Sequence, residues 1–119
     1  MALLTTEELF HFENLIYLPI IFTVLERDRV IFESGTFKLK KPYLDIIDKS
    51  LKIAESELKA TNIYCKQNKL KVIKGGNDGT FTEYTFIRNG YEDQRRYLNV
   101  RLRNRTEELM GIYFDMIGN

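Results

Sequence analysis

The chain has 119 residues, 44% hydrophobic and 29% charged, with a net charge of +1 and one cysteine. That is the size and composition of one globular domain, which excludes a disordered chain and a disulfide scaffold. The near-neutral total hides an asymmetry, because residues 59–105 hold eleven basic and four acidic side chains, net +7, leaving −6 for the rest.

The N-terminal MALLTTEELF has no basic region, and Glu7 and Glu8 follow directly, which argues against a secretory signal. Thr5 and Glu8 have capping-box spacing, so a first helix is expected over about 5–34. From Leu9 to Leu25 its apolar residues cover almost every side of a helical wheel, as in a helix central to its domain. Pro19 is expected to kink or split it near Leu18, and Gly35 to stop it. The longest apolar run, 15–25 (LIYLPIIFTVL), is eleven residues, short of the about 20 that span a bilayer. A soluble, cytoplasmic protein without membrane contact is the expectation.

After the loop 36–41 (TFKLKK), Pro42 suits the first position of a second helix, about 42–67. Leu44, Ile47, Leu51, Ala54, Leu58, Thr61 and Cys65 are spaced alternately by three and four, a heptad seam unbroken by Gly or Pro. Cys65 closes that seam and reads as a packing residue.

Two short strands follow, about 69–74 (KLKVIK) and 80–88 (TFTEYTFIR), joined by the turn-forming GGNDG. A register pairing Lys74 with Thr80 places Leu70, Val72, Tyr84 and Phe86 on one face and sets Lys71 opposite Glu83. GGNDG is followed by a strand and not by a helix N-terminus, so it reads as a turn and not as a phosphate loop. Asn89-Gly90 ends the hairpin at about 88, and a third helix is expected over about 91–116. Its apolar stripe is Tyr91, Leu98, Leu102, Leu109, Ile112, Tyr113 and Met116.

That third segment carries five arginines in eleven residues. On a helical wheel Arg96 and Arg103 share an exposed side, Arg101 lies opposite, and Arg95 and Arg105 fall at or within the apolar stripe. The cluster therefore lines no single face, as a recognition helix would require. Arg105 falls between Leu102 and Leu109 at a heptad-like core position, where an unpaired guanidinium is costly. A buried ion pair or a subunit interface is expected there.

His11 is the only histidine, and it has no ligand partners at metal-binding spacing. A nucleophile pair of His11 with Ser34, Ser50, Ser56 or Cys65 finds no support in the pattern. No catalytic residue, metal or cofactor is expected, and the chain reads as non-enzymatic.

The segment 63–72 (IYCKQNKLKV) followed by TEYTFIRNGYEDQRRYL resembles the end of a recognition helix, a wing and a C-terminal helix of winged-helix regulators such as the PadR type. That resemblance implies a DNA-binding regulator contacting nucleic acid through Lys69, Lys71, Lys74, Arg88, Arg95 and Arg96. It departs in one respect: a helix-turn-helix needs a break between its helices, and the seam from Leu44 to Cys65 shows none. A second resemblance covers most of the chain. The phrases YLPIIFTVLERD, FKLKKPYL and NGYED are similar to those of short uncharacterised proteins of Bacillus-type bacteria, the YhjD type, which implies a small soluble bacterial protein and no particular chemistry.

The expected fold is α+β and mostly helical: one domain over 1–119, a bundle of three helices with a β-hairpin inserted between the second and third. Its core is expected from Leu9, Phe12, Leu15, Ile16, Ile20, Val24, Leu44, Ile47, Leu51, Leu58, Leu98, Leu102, Leu109 and Tyr113. The functional expectation is a protein-interaction module that self-associates, through the heptad seam or the C-terminal helix, as a homodimer or with another protein.

Overall fold

A computed structural model describes residues 4–118. Its elements are α1 (Thr6–Ser34), α2 (Lys41–Asn68), β1 (Leu70–Asn77), β2 (Phe81–Arg88), β3 (Tyr91–Leu98) and α3 (Asn99–Gly118). The mostly helical α+β architecture is as expected, with one correction: the insertion is a three-stranded antiparallel sheet, ordered β1-β2-β3, and not a hairpin.

The capping box opens α1 as its sequence specifies. Thr5 Oγ1 accepts from the Glu8 amide at 3.0 Å, and Glu8 Oε1 accepts from the Thr5 amide at 2.9 Å. The helix does not split at Pro19 but continues as one element of 29 residues. By length and composition alone α1 could also cross a membrane; 33% of its most apolar stretch is buried inside the molecule. At its end Gly35 is extended and not left-handed. What it supplies is space, since a Cβ there would sit 2.9 Å from the Phe37 ring and 3.1 Å from the Ile31 carbonyl oxygen.

The second helix is continuous for 28 residues, with Pro42 in its first turn. Its seam faces α1: Ile47, Ala54, Thr61 and Cys65 are buried there, together with Ser50. Lys69, left-handed at φ 56°, caps the helix by donating its amide to the Cys65 carbonyl and turns the chain straight into β1.

The sheet register is offset from the expected one by an even number of residues. Lys74 pairs with Tyr84, not with Thr80, and Lys71 lies opposite Ile87, not Glu83. Because side chains alternate with period two, an even offset leaves the faces unchanged. Leu70, Val72, Tyr84 and Phe86 therefore still share the inner face. The Phe86 ring stacks on Phe12 of α1 at 4.5 Å. Glu83 instead meets Arg96 of β3.

The β2–β3 connection is Asn89-Gly90, with φ of 51° and 84°. Two positive φ values make a two-residue hairpin whose twist matches its strands. The segment expected to begin the third helix is therefore β3, and α3 starts at Asn99. In consequence α3 buries Leu102, Thr106 and Tyr113. Thr106, not Arg105, takes the core position, and its hydroxyl donates to the Leu102 carbonyl at 2.8 Å. Leu98, expected in the core, is exposed at the end of β3.

Two apolar clusters lie along α1. One joins its N-terminal half to the sheet through Phe12, Ile16, Tyr17, Phe86 and Leu102; the other joins its C-terminal half to α2 and α3 through Leu18, Ile21, Leu25, Ile47 and Tyr113. The molecule measures 57 × 32 × 19 Å. A thickness of 19 Å corresponds to about two layers of secondary structure.

Candidate functional site

The basic residues expected to meet nucleic acid do not converge. Sheet alternation turns Lys74, Arg88 and Arg95 toward α1 and Lys71 and Arg96 to the opposite face, while Lys69 lies in the turn before β1. Several are already engaged within the fold. Arg88 pairs with Glu8 at 2.9 Å, both largely buried (17% and 14% exposed), tying the end of β2 to the cap of α1. The Glu8 carboxyl is held below its ordinary range, first by the Thr5 amide and also by Arg88. Arg95 lies over the Phe86 ring at 5.0 Å and bonds Asp93 at 3.0 Å. Arg96 lies over the Phe81 ring at 4.1 Å, with Asp78 at 3.6 Å. Nor does α2 contain the break that a helix-turn-helix requires.

Arg105 is not buried. It is 48% exposed and pairs with Glu108 of its own helix at 2.9 Å. It lies on the rim of a groove of about 610 Å³ between α3 and the α1–α2 pair. Glu13 and Asn14 of α1, Glu57 of α2 and Arg101 of α3 also line it. Tyrosine hydroxyls hold both carboxylates: Tyr97 donates to Glu13 at 3.3 Å and Tyr113 to Glu57 at 2.7 Å. Burial, with these carboxylates beside them, pushes both phenols well above their usual range. Such tyrosines act as hydrogen-bond donors, not as bases.

A second polar cluster sits in the α1–α2 seam. The fully buried Thr61 Oγ1 accepts from Asn14 Nδ2 at 2.9 Å and lies 2.9 Å from His11 Nδ1. The His11 ring stacks on Tyr64 at 3.9 Å. Desolvation lowers the His11 pKa, partly opposed by Glu7. A neutral ring accepting the Thr61 hydroxyl proton at Nδ1 satisfies every member of this cluster. Cys65 lies one turn further on, buried, with its thiol pushed up by desolvation; little thiolate forms on such a group.

The far end of the molecule is apolar. The C-terminal part of α1, the first turns of α2 and the C-terminal part of α3 line an open groove of about 520 Å³. Phe32, Phe37 and Tyr43 pack against one another there with ring centroids 5.3, 5.3 and 5.7 Å apart. Eight of the fifteen exposed large apolar side chains among the described residues belong to these segments and the 35–40 linker: Val30, Ile31, Phe37, Leu39, Tyr43, Ile46, Phe114 and Met116. Each was visible in the sequence as an apolar residue. What the sequence did not show is that none of the described residues covers them.

The model of the YhjD protein family matches residues 3–118. Among curated proteins, the uncharacterized protein YhjD of Bacillus subtilis (strain 168) is 38% identical over 101 residues, covering 85% of this chain and 84% of that protein. No solved structure matches.

Proposed function

This chain belongs to the YhjD family, and from that premise we propose that it is a non-enzymatic, cytoplasmic interaction module that self-associates. One observation carries the reading. The chain exposes 8323 Å², against about 6,700 Å² expected of a compact monomer of its mass. Its radius of gyration, 16.3 Å, likewise exceeds the about 13.5 Å of a compact chain of this length. A surplus of about 1,600 Å² is ample for one standard interface, which takes about 800 Å² from each partner.

The heptad seam of α2 is not the contact surface in this reading, because α1 covers it. Sedimentation equilibrium tests the proposal. The expected mass is twice 14.1 kDa at high concentration, with dissociation somewhere between about 1 µM and 1 mM, the span of modest affinities. A monomer throughout that span sinks it.

The DNA-binding alternative has less support, since its six basic residues are divided between two faces and three of them are held in pairs. Titration of a fluorescent duplex at about 50 mM salt, where counterion release favours binding, is expected to show no saturable complex.

A further inference from the structure

We propose that the trough between α1, the inner face of the sheet and α3 binds a single-chain fatty carboxylate, with its acyl tail along the apolar walls and its carboxylate at Lys74 and Asn77. This goes beyond the self-association reading and stands whether the chain is a monomer or a dimer.

The trough has two parts. One, of about 480 Å³, lies between α3 and the sheet and reaches Ile20 and Val24 of α1. The other, of about 420 Å³, follows α1 past Leu15 and Pro19 to Val72 of β1. Ile20, Val24, Lys74 and Tyr84 line both parts, so the two adjoin. Concave spaces of this size, apolar with a few polar groups at one place, are the usual form of a small-molecule site. The wall residues Ile20, Val24, Val72 and Met110 are half-buried, unlike the exposed apolar side chains elsewhere on the surface. A recessed apolar trough accepts a slender tail and gives a broad protein face little to touch.

Hydrogen-bond donors gather at its mouth. A bulge between Lys74 and Asn77 interrupts the β1–β2 pairing, and bulges re-aim the side chains beside them. Strand alternation turns Lys74 toward α1. It has no ion-pair partner among the described residues, whereas Arg88, Arg95 and Arg96 each have one. Asn77 Oδ1 accepts from the Gly79 amide at 2.9 Å and from Asn99 Nδ2 at 3.0 Å. The backbone donor identifies that atom as the oxygen, so Asn77 Nδ2 is left to donate outward. Asn99 Oδ1 in turn accepts from the buried Thr82 hydroxyl at 2.6 Å, which holds the group in place. Arg103, also without an ion-pair partner among the described residues, and Glu107 complete the rim. Two cations, Lys74 and Arg103, and one carboxylate, Glu107, leave a net charge of +1 beside the apolar trough. That charge matches a monoanionic head on an apolar tail, and matches neither a phosphate dianion nor a neutral partner.

Isothermal titration calorimetry of the full chain with octanoate, decanoate and dodecanoate, each below its micelle concentration, tests the proposal. One ligand per chain is expected, with affinity rising about fourfold for each added methylene as the tail fills the trough. Lys74→Gln, at an exposed position, should weaken dodecanoate binding by about tenfold, the loss of one charge-assisted bond. Lys71→Gln, on the opposite face of the sheet, should leave it unchanged. Circular dichroism checks that both variants keep the wild-type secondary structure. No saturable binding of dodecanoate up to about 1 mM, equal affinity in the wild type and Lys74→Gln, or an affinity indifferent to tail length overturns the proposal. Flotation with phosphatidylglycerol vesicles separates the two sources of an anionic head on an acyl chain. Vesicle binding lost on Lys74→Gln, without a one-to-one dodecanoate complex, assigns the trough to a membrane surface and overturns the fatty carboxylate.

Discussion

Thr61 of α2 bonds two side chains of α1, His11 and Asn14, through a single hydroxyl. Thr61→Val keeps the shape and removes the partner of both groups, so a loss of about 1–3 kcal/mol is expected in urea denaturation. The same site predicts a pH dependence. Desolvation lowers the folded pKa of His11 below its unfolded value of about 6.5. Folding therefore favours the neutral ring, and the unfolded chain binds the proton first. Stability is fully present above about pH 6.5 and falls as pH drops from there toward the folded pKa. In Thr61→Val, which removes the bond to the neutral ring, the fall should be shallower. An equal slope in both proteins would show that the bond does not set the protonation preference. Arg105 is the opposite case. Its exposed intrahelical pair with Glu108 is worth little, so Arg105→Ala should change stability by less than about 0.5 kcal/mol. Leu102→Ala, one turn earlier and buried, should cost about 2–4 kcal/mol. The sequence put Arg105 in the core because a stripe of spacing 98-102-105-109 is as regular as 102-106-109-113. Only the starting point of the helix separates the two, and Thr106 looks less apolar than its burial.

At the scale of elements, α1 and α2 were legible and β3 was not. The capping box, the wheel of α1 and the seam of α2 are local signals that packing reinforced. β3 conceals itself because its inward residues include Asp93 and Arg95, and Arg95 fills its place with a guanidinium over Phe86. No alternation of apolar and polar residues marks such a strand. Asn89-Gly90 was the available signal, since that dipeptide favours a two-residue hairpin and so demands a following strand. The face assignment of β1 and β2 survived a wrong register because the offset was even. Pro19 leaves an unused carbonyl inside a helix that stays one element. Pro19→Ala restores the donor, and a gain of about 1–3 kcal/mol is expected in thermal or urea unfolding. A loss would mean that the fold depends on the geometry that proline imposes. The Arg88–Glu8 pair joins two elements eighty residues apart in the chain. With both partners largely buried, Arg88→Met should cost about 1–3 kcal/mol, more than an exposed pair would.

At the scale of the molecule, part of the charge asymmetry is met within the fold. Arg88 from the basic segment meets Glu8 from the acidic remainder, and Arg101 and Arg105 line a groove shared with Glu13 and Glu57. The six basic residues named for nucleic acid are divided between the two faces of the sheet and the turn before it. The body is thin and elongated, with exposed apolar side chains gathered at one end. The self-association proposed above predicts a concentration-dependent melting temperature for the wild-type chain, since binding between folded copies stabilises them by mass action. Differential scanning calorimetry at two concentrations reads it directly.

By itself the sequence determined the helical character, the order of α1 and α2, the core face of each and the inner face of the first two strands. Those follow from local periodicity and capping, which a single segment carries whole. The tertiary structure alone decided that β3 is a strand, that Thr106 displaces Arg105 from the core, that the basic residues divide between faces, and that the described residues leave the apolar end uncovered. Each of these depends on what lies opposite a side chain in space, and for residues far apart in the chain that is set by packing and not by spacing.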